Sequence, residues 1–283
     1  MFASKSSRVW FITGASSGFG LSMTKLVLRK GDIVAATLRN PEMISELRAQ
    51  YPPTELLVLQ LDVTVQDAVE NAFKKTAEAF GRIDIVYNNA GIGSGGVIEA
   101  TPADFARTIF ETNFWGASHV MKEAVKFFRD INIPRGGRLI QSSSMFGFSA
   151  NAYVGYYAAS KFALEGLTEA LTDEVDPEWN IFITLVEPAY FRTKVAITNA
   201  GTIPPHPLYP PRKTTPGANI LIGDTEKYTT AVYELSTLPA PPTRLVLGKE
   251  AIKRARNKIE NVQREIDEYE DWSEDLLEEA LGM

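Results

Sequence analysis

The chain has 283 residues, no cysteine, 45% hydrophobic and 23% charged residues, and a formal net charge of −6 at neutral pH. The lack of cysteine excludes disulfide bonds and thiol catalysis and agrees with a reducing compartment. The negative charge disfavours nucleic acid as a partner, because phosphate binding needs a basic surface. The sequence has no run of about 18 apolar residues, so no transmembrane segment is predicted. No metal site is predicted either, and we expect a soluble, cytoplasmic protein.

The predicted elements alternate between short apolar strands and longer segments with helical periodicity. The apolar runs are continuous, which is typical of strands buried on both faces of a parallel sheet between helices. We therefore predict an α/β fold in which a doubly wound, Rossmann-type parallel sheet of about seven strands forms a single domain. The predicted strands are Val9–Thr13, Ile33–Thr37, Leu56–Leu61, Ile83–Tyr87, Arg138–Ser142, Ile181–Val186 and Arg244–Leu247.

A glycine-rich turn follows the first predicted strand. Gly14, Gly18 and Gly20 let the backbone turn sharply and approach a pyrophosphate, which the amide groups at the start of the next helix can bind. The spacing is Gly-x-x-x-Gly-x-Gly and differs from the Gly-x-Gly-x-x-Gly fingerprint of dinucleotide sites. Its place at the start of a βαβ unit nevertheless favours a nucleotide site over an ordinary tight turn.

The end of the second predicted strand indicates which nucleotide is bound. In dinucleotide folds a carboxylate at this place holds the ribose, whereas an arginine accommodates a 2′-phosphate. The sequence has Leu38 and Arg39 here and no carboxylate. We therefore predict that Arg39, together with Ser16, binds the phosphate of NADP(H). The alternative is that Arg39 is a solvated loop cation.

Further polar residues follow the third and fourth predicted strands. The Asp62 carboxylate, followed by Val63, is suited either to hold the adenine amine or to cap the helix that begins near Gln66. The small turn Asn88-Asn89-Ala90-Gly91 would let a ligand lie against the backbone. Asn113 is an unusual residue for the interior of the long helix predicted around it.

The segment from Ser144 to Lys161 carries the predicted chemistry. Tyr157 and Lys161 are four residues apart in a predicted helix, so their side chains share one face. A free phenol titrates near pH ~10, so proton exchange near neutrality needs a cation that favours the phenolate. Lys161 is the candidate cation, and the Ser144 hydroxyl is a candidate to hold a substrate oxygen. Taken alone, such a Tyr-x-x-x-Lys spacing also occurs by chance on helix surfaces.

Together these motifs resemble the short-chain dehydrogenase/reductase family in its single-domain branch, over the chain from about Val9 to Thr193. The motifs that carry the resemblance, by order and mutual spacing, are Thr13-Gly14-x-x-x-Gly18-x-Gly20, Asn88-Asn89-Ala90-Gly91, Asn113, Ser144 and Tyr157-x-x-x-Lys161. Within the family the chain is similar to NADP-preferring hydroxysteroid and retinol-type dehydrogenases. The resemblance implies a small-molecule carbonyl or alcohol substrate.

The resemblance also implies roles for single residues. Tyr157 would be the acid in reduction or the base in oxidation, and Lys161 would lower its pKa and bind the nicotinamide ribose. Ser144 would orient the substrate oxygen, and Asn113 would hold a water that relays protons to Lys161. The implied nucleotide contacts are Gly14, Ser16, Ser17, Gly18, Phe19, Gly20, Arg39, Asp62, Val63, Asn89, Ala90, Gly91, Tyr157, Lys161, Pro188, Ala189 and Thr193.

One position departs from the family pattern. After the sixth strand the family usually has Pro-Gly followed by a threonine, and this chain has Pro188-Ala189 followed by Thr193. If the second position requires positive φ, the methyl group of Ala189 would be strained or would shift the carboxamide end of the cofactor. We expect a tolerated change, because alanine adds the smallest side chain.

Residues 194–222 are irregular and rich in proline, and they follow residues 8–193, the predicted cofactor-binding and catalytic core. Long irregular segments at the carboxyl end of a strand are usually functional or disordered, and by position this one resembles the substrate lid of the family. We interpret His206 as a polar loop residue. An apolar substrate pocket is predicted beside Ser144, and the alternative for its aromatic side chains is core packing. These side chains are Phe146, Tyr153 and Tyr190.

Residues 249–283 are predicted to form a C-terminal helix followed by an acidic tail. The helix carries one apolar stripe with alternating three- and four-residue steps. We expect it to pack on the body of the protein or on a second subunit of a homodimer or homotetramer. The acidic end is interpreted as a solvated face or frayed tail. The stripe consists of Ile252, Ala255, Ile259, Val262, Ile266 and Tyr269.

Three functions stay open at this point. An NADP-dependent carbonyl reductase or alcohol dehydrogenase is favoured. A nucleotide-using epimerase or dehydratase on the same scaffold is disfavoured, since such relatives usually have another glycine spacing and a larger C-terminal substrate region. A non-catalytic NADP(H)-binding sensor would be expected to lack Tyr157 or Lys161, and both are present.

Overall fold

The computed structural model describes residues 7–93, 95–193, 203, 206–209, 223–274 and 276. The strands in these ranges are β1 (Val9–Thr13), β2 (Ile33–Leu38), β3 (Leu56–Gln60), β4 (Ile85–Asn88), β5 (Gly137–Ser142), β6 (Ile181–Pro188) and β7 (Arg244–Leu247). The α-helices are α1 (Gly18–Arg29), α2 (Ser45–Arg48), α3 (Gln66–Phe80), α4 (Ala103–Phe110), α5 (Ala117–Asp130), α6 (Met145–Phe148), α7 (Gly155–Glu174), α8 (Thr225–Leu235) and α9 (Lys249–Tyr269).

All of these strands belong to one parallel sheet with the order β3-β2-β1-β4-β5-β6-β7. The chain winds outward from β1 to β3 and then returns to place β4 on the other side of β1. This arrangement confirms the predicted single-domain, doubly wound fold. Because the strand order reverses between β1 and β4, a crevice opens there at the carboxyl ends of the strands.

Alternate side chains of the strands build one apolar layer on each face of the sheet. Trp10 and Ile12 of β1 pack in a cluster with α1 and α8, whereas Phe11 packs with α3, α5 and α7. The central strands β1 and β4 are buried along their whole length, while the edge strands β3 and β7 are mostly half-buried. Burial on both faces therefore accounts for the continuous apolar runs that predicted the strands.

The apolar stripe of α9 does not pack on the body of the protein. Ala251 is the buried residue of this helix, whereas Ile259 is 59% and Ile266 is 54% exposed. Of the two predicted alternatives, packing on the body is therefore wrong for most of the helix, and packing on a second subunit stays a prediction. The reason is geometric, because the helix contacts α6 and β7 and its buried residue, Ala251, lies in the first turn.

Two predicted segments lie largely or partly outside the described residues. Of the proline-rich segment 194–222 only residues 203 and 206–209 are described, and of the acidic tail residues 275 and 277–283 are not. Among the helices that are described, none has both the length and the apolar character that a membrane crossing requires.

A buried ionic cluster joins three elements at the β7 edge of the sheet. Arg244 of β7 donates from Nη1 to Glu165 Oε2 at 2.6 Å and from Nη2 to Glu169 Oε1 at 2.6 Å, both on α7. Nη1 also contacts Glu187 Oε1 of β6. Glu187 is 1% exposed and Glu165 is 4% exposed, so these two carboxylates are withdrawn from water, whereas Glu169 is exposed. Ser143 Oγ donates to Glu165 Oε1 at 2.5 Å and completes the set.

Burial dominates the titration of these carboxyl groups. It raises the pKa of Glu187 from 4.5 to about 7, and repulsion from Glu165 adds to the shift while Arg244 opposes it. Burial also raises the pKa of Glu165. A carboxyl group with a raised pKa binds its proton more tightly in the folded protein than in the unfolded chain. The contribution of such a group to stability is therefore complete at a pH below its pKa in the unfolded chain, and it is lost as the pH rises through its pKa in the folded protein.

Replacing Glu187 by glutamine is expected to remove part of the pH dependence of stability. The amide keeps an acceptor for Arg244 but has no proton to lose. Each pKa unit corresponds to ~1.4 kcal/mol, so the free energy of unfolding should fall by about 2–3 kcal/mol less in Glu187→Gln than in the wild type between pH 5 and pH 8. Urea unfolding at a series of pH values measures this difference.

Glu169→Gln is the matched control, because Glu169 contacts the same guanidinium but is 62% exposed. Its pH dependence of stability should follow that of the wild type. Parallel curves for Glu187→Gln and the wild type would contradict the assignment of the raised pKa to Glu187.

Candidate active site

Loops at the carboxyl ends of the strands enclose a cleft of about 620 Å³ at the crevice between β1 and β4. Nineteen of the predicted site residues line it, and Gly20, Asn113 and Tyr153 do not. The lining residues among those predicted are Gly14, Ser16, Ser17, Gly18, Phe19, Arg39, Asp62, Val63, Asn89, Ala90, Gly91, Ser144, Phe146, Tyr157, Lys161, Pro188, Ala189, Tyr190 and Thr193.

The floor of the cleft is made by two turns that contact each other closely. A Cβ on Gly20 would overlap the carbonyl oxygen of Gly14 and lie 2.8 Å from Asn89 Nδ2, so only glycine fits there. Asn89 Nδ2 donates to the carbonyl oxygen of Thr13 at 2.9 Å. The amide groups of Asn89 and Ala90 donate to Thr13 Oγ1 at 2.8 and 2.9 Å. The turns after β1 and β4 are therefore fixed to one another. Gly20 does not line the cleft, but it allows this close packing of the two turns.

Two predicted nucleotide contacts lie at the rim after β2 and β3. Arg39 is exposed, and its carbonyl oxygen accepts a hydrogen bond from Gln60 Nε2 at 3.2 Å. Asp62 Oδ1 accepts from the backbone nitrogen and Oγ1 of Thr64 at 3.0 and 2.8 Å. The N-cap residue of α3 is Val65, so Asp62 closes the turn before the helix. The alternative prediction, that Asp62 caps this helix, is therefore wrong.

Tyr157, Lys161 and Ser144 meet at the carboxyl end of β5. Lys161 and Tyr157 lie one turn apart on α7, and Lys161 Nζ donates to the carbonyl oxygen of Ser142 at 3.0 Å. Ser144 is the N-cap of α6, where its Oγ accepts from the Phe146 amide at 3.2 Å. A hydrogen bond also joins the side chains of Ser144 and Tyr157. One cation, one phenol and one hydroxyl thus border the same part of the cleft.

Desolvation controls the protonation of this group. Burial raises the pKa of the Tyr157 phenol, and the hydrogen bond with Ser144 acts in the opposite direction. Burial lowers the pKa of Lys161 to about 8, while the negative charge of Glu165 raises it. Any lowering of the phenol pKa by a neighbouring cation has to work against the desolvation of Tyr157 itself. A buried lysine that titrates near neutrality is typical of functional sites.

Asn113 lies behind the cleft in a π-helical turn, Glu111–Gly116, between α4 and α5. Its Oδ1 accepts from the Ile92 amide at 2.8 Å, and its Nδ2 donates to the Ile92 carbonyl oxygen at 2.9 Å and to Ser160 Oγ at 3.2 Å. A Cβ on Gly91 would lie 3.2 Å from Asn113 Oδ1 and 3.8 Å from Lys161 Nζ. A π turn inside a helix is frequent at functional sites, and here it holds an amide between the β4 loop and α7.

The departure at Ala189 is accommodated without backbone strain. Among described residues other than glycine, positive φ occurs at Tyr153 and Asn180, so Ala189 does not require it. The compensating residue is Gly248, where an added Cβ would lie 2.7 Å from the Ala189 methyl group. The methyl group of Ala189 therefore occupies the space that a side chain at position 248, directly after β7, would fill.

The aromatic side chains predicted for the substrate pocket divide into two groups. Phe146 is buried, lines the cleft and lies edge-on to Tyr157 and Tyr190 with ring centroids 6.3 and 5.9 Å apart. It therefore belongs to a core cluster and to the cleft wall at once. Tyr153 has φ of 67° and its carbonyl oxygen accepts from the Gly96 amide at 2.7 Å. Tyr153 is half-buried and is not among the residues that line the cleft.

Sequence reasoning missed the residues that support the site from below. Glu165 lies one helical turn after Lys161, and that spacing was visible in the sequence. The local sequence around Arg244 and Glu187 did not indicate their partners, because their contact with α7 depends on the packing of β6 and β7. A charged residue in a short apolar strand was the only hint, since buried charges are usually paired.

Comparison with known proteins agrees with this geometry. Residues 8–202 match the family model described as short chain dehydrogenase. The chain is 36% identical over 261 residues to an uncharacterized oxidoreductase of Schizosaccharomyces pombe, and the aligned region covers 90% of this chain and 87% of that protein. It is 37% identical over 187 residues to the 3-ketodihydrosphingosine reductase of Bacteroides thetaiotaomicron, with 66% of this chain and 65% of that protein covered.

Among solved structures, a short-chain dehydrogenase from Streptomyces avermitilis superimposes with a TM-score of 0.85 and 30% sequence identity, covering 97% of this chain and 100% of that one. Because the family match spans more than half of the sequence and the fold and motif order agree with it, the chain belongs to the short-chain dehydrogenase/reductase family and is an oxidoreductase of that family.

Proposed function

We propose that the protein transfers a hydride between NADP(H) and a ketone, an aldehyde or a secondary alcohol, with Tyr157 as the acid or base. The observation that carries this proposal is the single cleft that joins the glycine-rich turn and Arg39 to Tyr157, Lys161 and Ser144. A nucleotide site and a proton donor in one cleft are the two parts that carbonyl reduction requires of the protein.

The residues present fit a phosphorylated dinucleotide. The contact between Gly20 and Gly14 brings backbone amide groups to the start of α1, where the helix dipole favours negative charge. Arg39 lies at the rim after β2, where a carboxylate would be unfavourable for a 2′-phosphate and a cation favourable. These features support NADP(H) over NAD(H).

The chemistry follows from the groups at the end of β5. The nicotinamide supplies the hydride when the cofactor is bound. Ser144 orients the substrate oxygen by a hydrogen bond, and the Tyr157 phenol donates the proton that this oxygen takes up as the carbonyl carbon is reduced. In oxidation the phenolate removes the same proton. The Lys161 ammonium, held by the Ser142 carbonyl oxygen, stabilises the phenolate that forms.

The substrate end of the cleft is apolar. Met145, Phe146, Val154 and Tyr190 line it beside Ser144, which favours a substrate whose carbonyl carries a hydrophobic group. The name of the Bacteroides relative, a reductase of a 3-keto compound, is consistent with a ketone.

The proline-rich segment is a candidate lid over this end, as two of its described residues support. Ile203 packs against Gly96, where an added Cβ would lie 2.5 Å from the Ile203 Cβ. Tyr209 donates from its hydroxyl to Glu99 Oε2 at 2.9 Å. Both contacts are made to the loop after β4, next to Gly95, which lines the cleft.

Tyr157→Phe is expected to lower the rate of NADPH-dependent reduction by at least about a thousandfold, since it removes the proton donor and leaves the ring in place. NADPH binding should change little. The rate is measured by the absorbance of NADPH with a panel of ketones and aldehydes.

Tyr156→Phe is the control on the neighbouring position of α7, outside the cleft lining, and should retain full activity. Turnover that survives in Tyr157→Phe would contradict the role of the phenol. Tight NADPH binding without turnover in the wild type on any substrate would favour a sensor.

Arg39→Ala is expected to weaken NADPH binding by about 10- to 100-fold, as the loss of a hydrogen bond to a charged group costs about 1.5–3 kcal/mol. NADH binding should hardly change, because NADH has no 2′-phosphate. Isothermal titration of both nucleotides with wild type and variant measures the effect.

Arg48→Ala removes another exposed arginine, on α2 outside the cleft lining, and should leave both affinities unchanged. Equal losses for NADPH and NADH in Arg39→Ala would contradict a contact with the 2′-phosphate.

A further inference from the structure

Helix α9 projects from the body of the protein. Ala251, in its first turn, is buried against a cluster that includes Phe146. From Arg256 to Tyr269 every side chain is exposed except that of Val262, which is half-buried. At 1.5 Å per residue these 14 residues extend about 20 Å beyond the last packed turn. An isolated helix of this length is only marginally stable in water, so a partner is expected along it.

The exposed part carries an apolar seam with heptad spacing. Ile252, Ile259 and Ile266 are seven residues apart and 38%, 59% and 54% exposed, and Tyr269 is 49% exposed. Together with Ala255 and Val262 they repeat at alternating steps of three and four residues, the pattern by which one helix packs on another. The seam is therefore suited to a second helix.

The charges of α9 are divided between its two halves. Residues Lys249–Lys258 contain five basic side chains and one acidic side chain, whereas residues 259–269 contain four acidic side chains and one basic side chain. The following turn, Glu270–Ser273, adds two more acidic residues. Two such helices repel one another when parallel and attract one another when antiparallel, because each basic half then lies beside an acidic half.

We propose that α9 pairs in antiparallel orientation with α9 of a second copy of this chain. Pairing of two copies of α9 buries the apolar seam of each helix and places the basic half of each beside the acidic half of the other. An anionic membrane surface, the other common partner of an amphipathic helix, would attract the basic half and repel the acidic half. This inference concerns assembly and does not depend on the reaction catalysed in the cleft.

The seam also indicates a register. When Ile259 lies opposite Val262 of the second copy, Ala255 lies opposite Ile266 and Ile252 lies opposite Tyr269, so the apolar side chains meet in layers. In this register Lys258, which flanks the seam, lies beside Glu265 of the second copy, and the two-fold symmetry makes this ion pair twice. Charged residues that flank the seam are the ones that set partner and orientation in paired helices.

Charge exchange tests the proposal. Lys258→Glu and Glu265→Lys each place like charges opposite one another and are expected to weaken self-association at least tenfold. The double variant restores opposite charges and should return association to within about threefold of the wild type, at ~1.4 kcal/mol per tenfold change. Sedimentation equilibrium of the full chain over a concentration series measures the dissociation constants, and circular dichroism confirms that each variant is folded.

Lys253→Glu and Glu260→Lys are the matched controls. They have the same charges and the same seven-residue separation, lie one position after Ile252 and Ile259 on the outer side of the helix, and are exposed. These variants should associate like the wild type. Equal effects of both sets, or a wild type that is monomeric at high concentration, would overturn the proposal. Binding of the monomer to anionic vesicles in place of self-association would also overturn it.

Cross-linking tests the orientation, because the chain has no cysteine of its own. A mixture of Ile252→Cys and Tyr269→Cys proteins is expected to form a disulfide-linked dimer under mild oxidation, whereas either protein alone should form little. Efficient cross-linking of Ile252→Cys with itself would indicate parallel helices and overturn the antiparallel arrangement.

Discussion

The carboxylate of Glu165 links the elements that carry Ser144, Tyr157 and Lys161. One of its oxygens accepts from Ser143, beside Ser144, and the other accepts from Arg244 at 2.6 Å. Because Glu165 follows Lys161 by one turn of α7, the same carboxylate fixes the helix that carries the cation and the phenol. Arg244 also contacts Glu187, directly before Pro188. Helix α7, the turn that carries Ser144 and the carboxyl end of β6 are therefore tied together by one ion cluster.

Such a cluster has an electrostatic consequence for the site above it. Removing charges from water is costly unless each charge is paired and hydrogen-bonded. Here one guanidinium faces three carboxylates, so the cluster carries excess negative charge, and burial raises the pKa of Glu187 to about 7. The same negative charge opposes the effect of burial on Lys161. The network therefore helps to keep protonated the ammonium that the proposed chemistry needs near neutral pH.

The sheet could be predicted from the sequence because its signals are local. Strands buried on both faces need continuous apolar runs, and the predicted strand Val9–Thr13 agrees with the structure to the residue. The glycine turn and the Tyr157 to Lys161 spacing are local as well. The supporting cluster is not, since Arg244 lies 79 residues from Glu165 and 57 from Glu187. Likewise, nothing in the periodicity of α9 distinguishes a seam packed on the body from one that projects away from it.

The first turns of α9 contact the wall of the cleft, a contact that the sequence did not predict. Ala251 packs in the cluster that contains Phe146, and the Arg254 guanidinium lies 5.6 Å from the centroid of the Phe146 ring. The same ring lines the cleft and lies edge-on to Tyr157 and Tyr190. Packed interiors transmit displacement because they contain few voids. A helix paired along α9, as proposed, would therefore also limit the movement of the first turn of α9, which supports the apolar wall of the cleft beside Ser144.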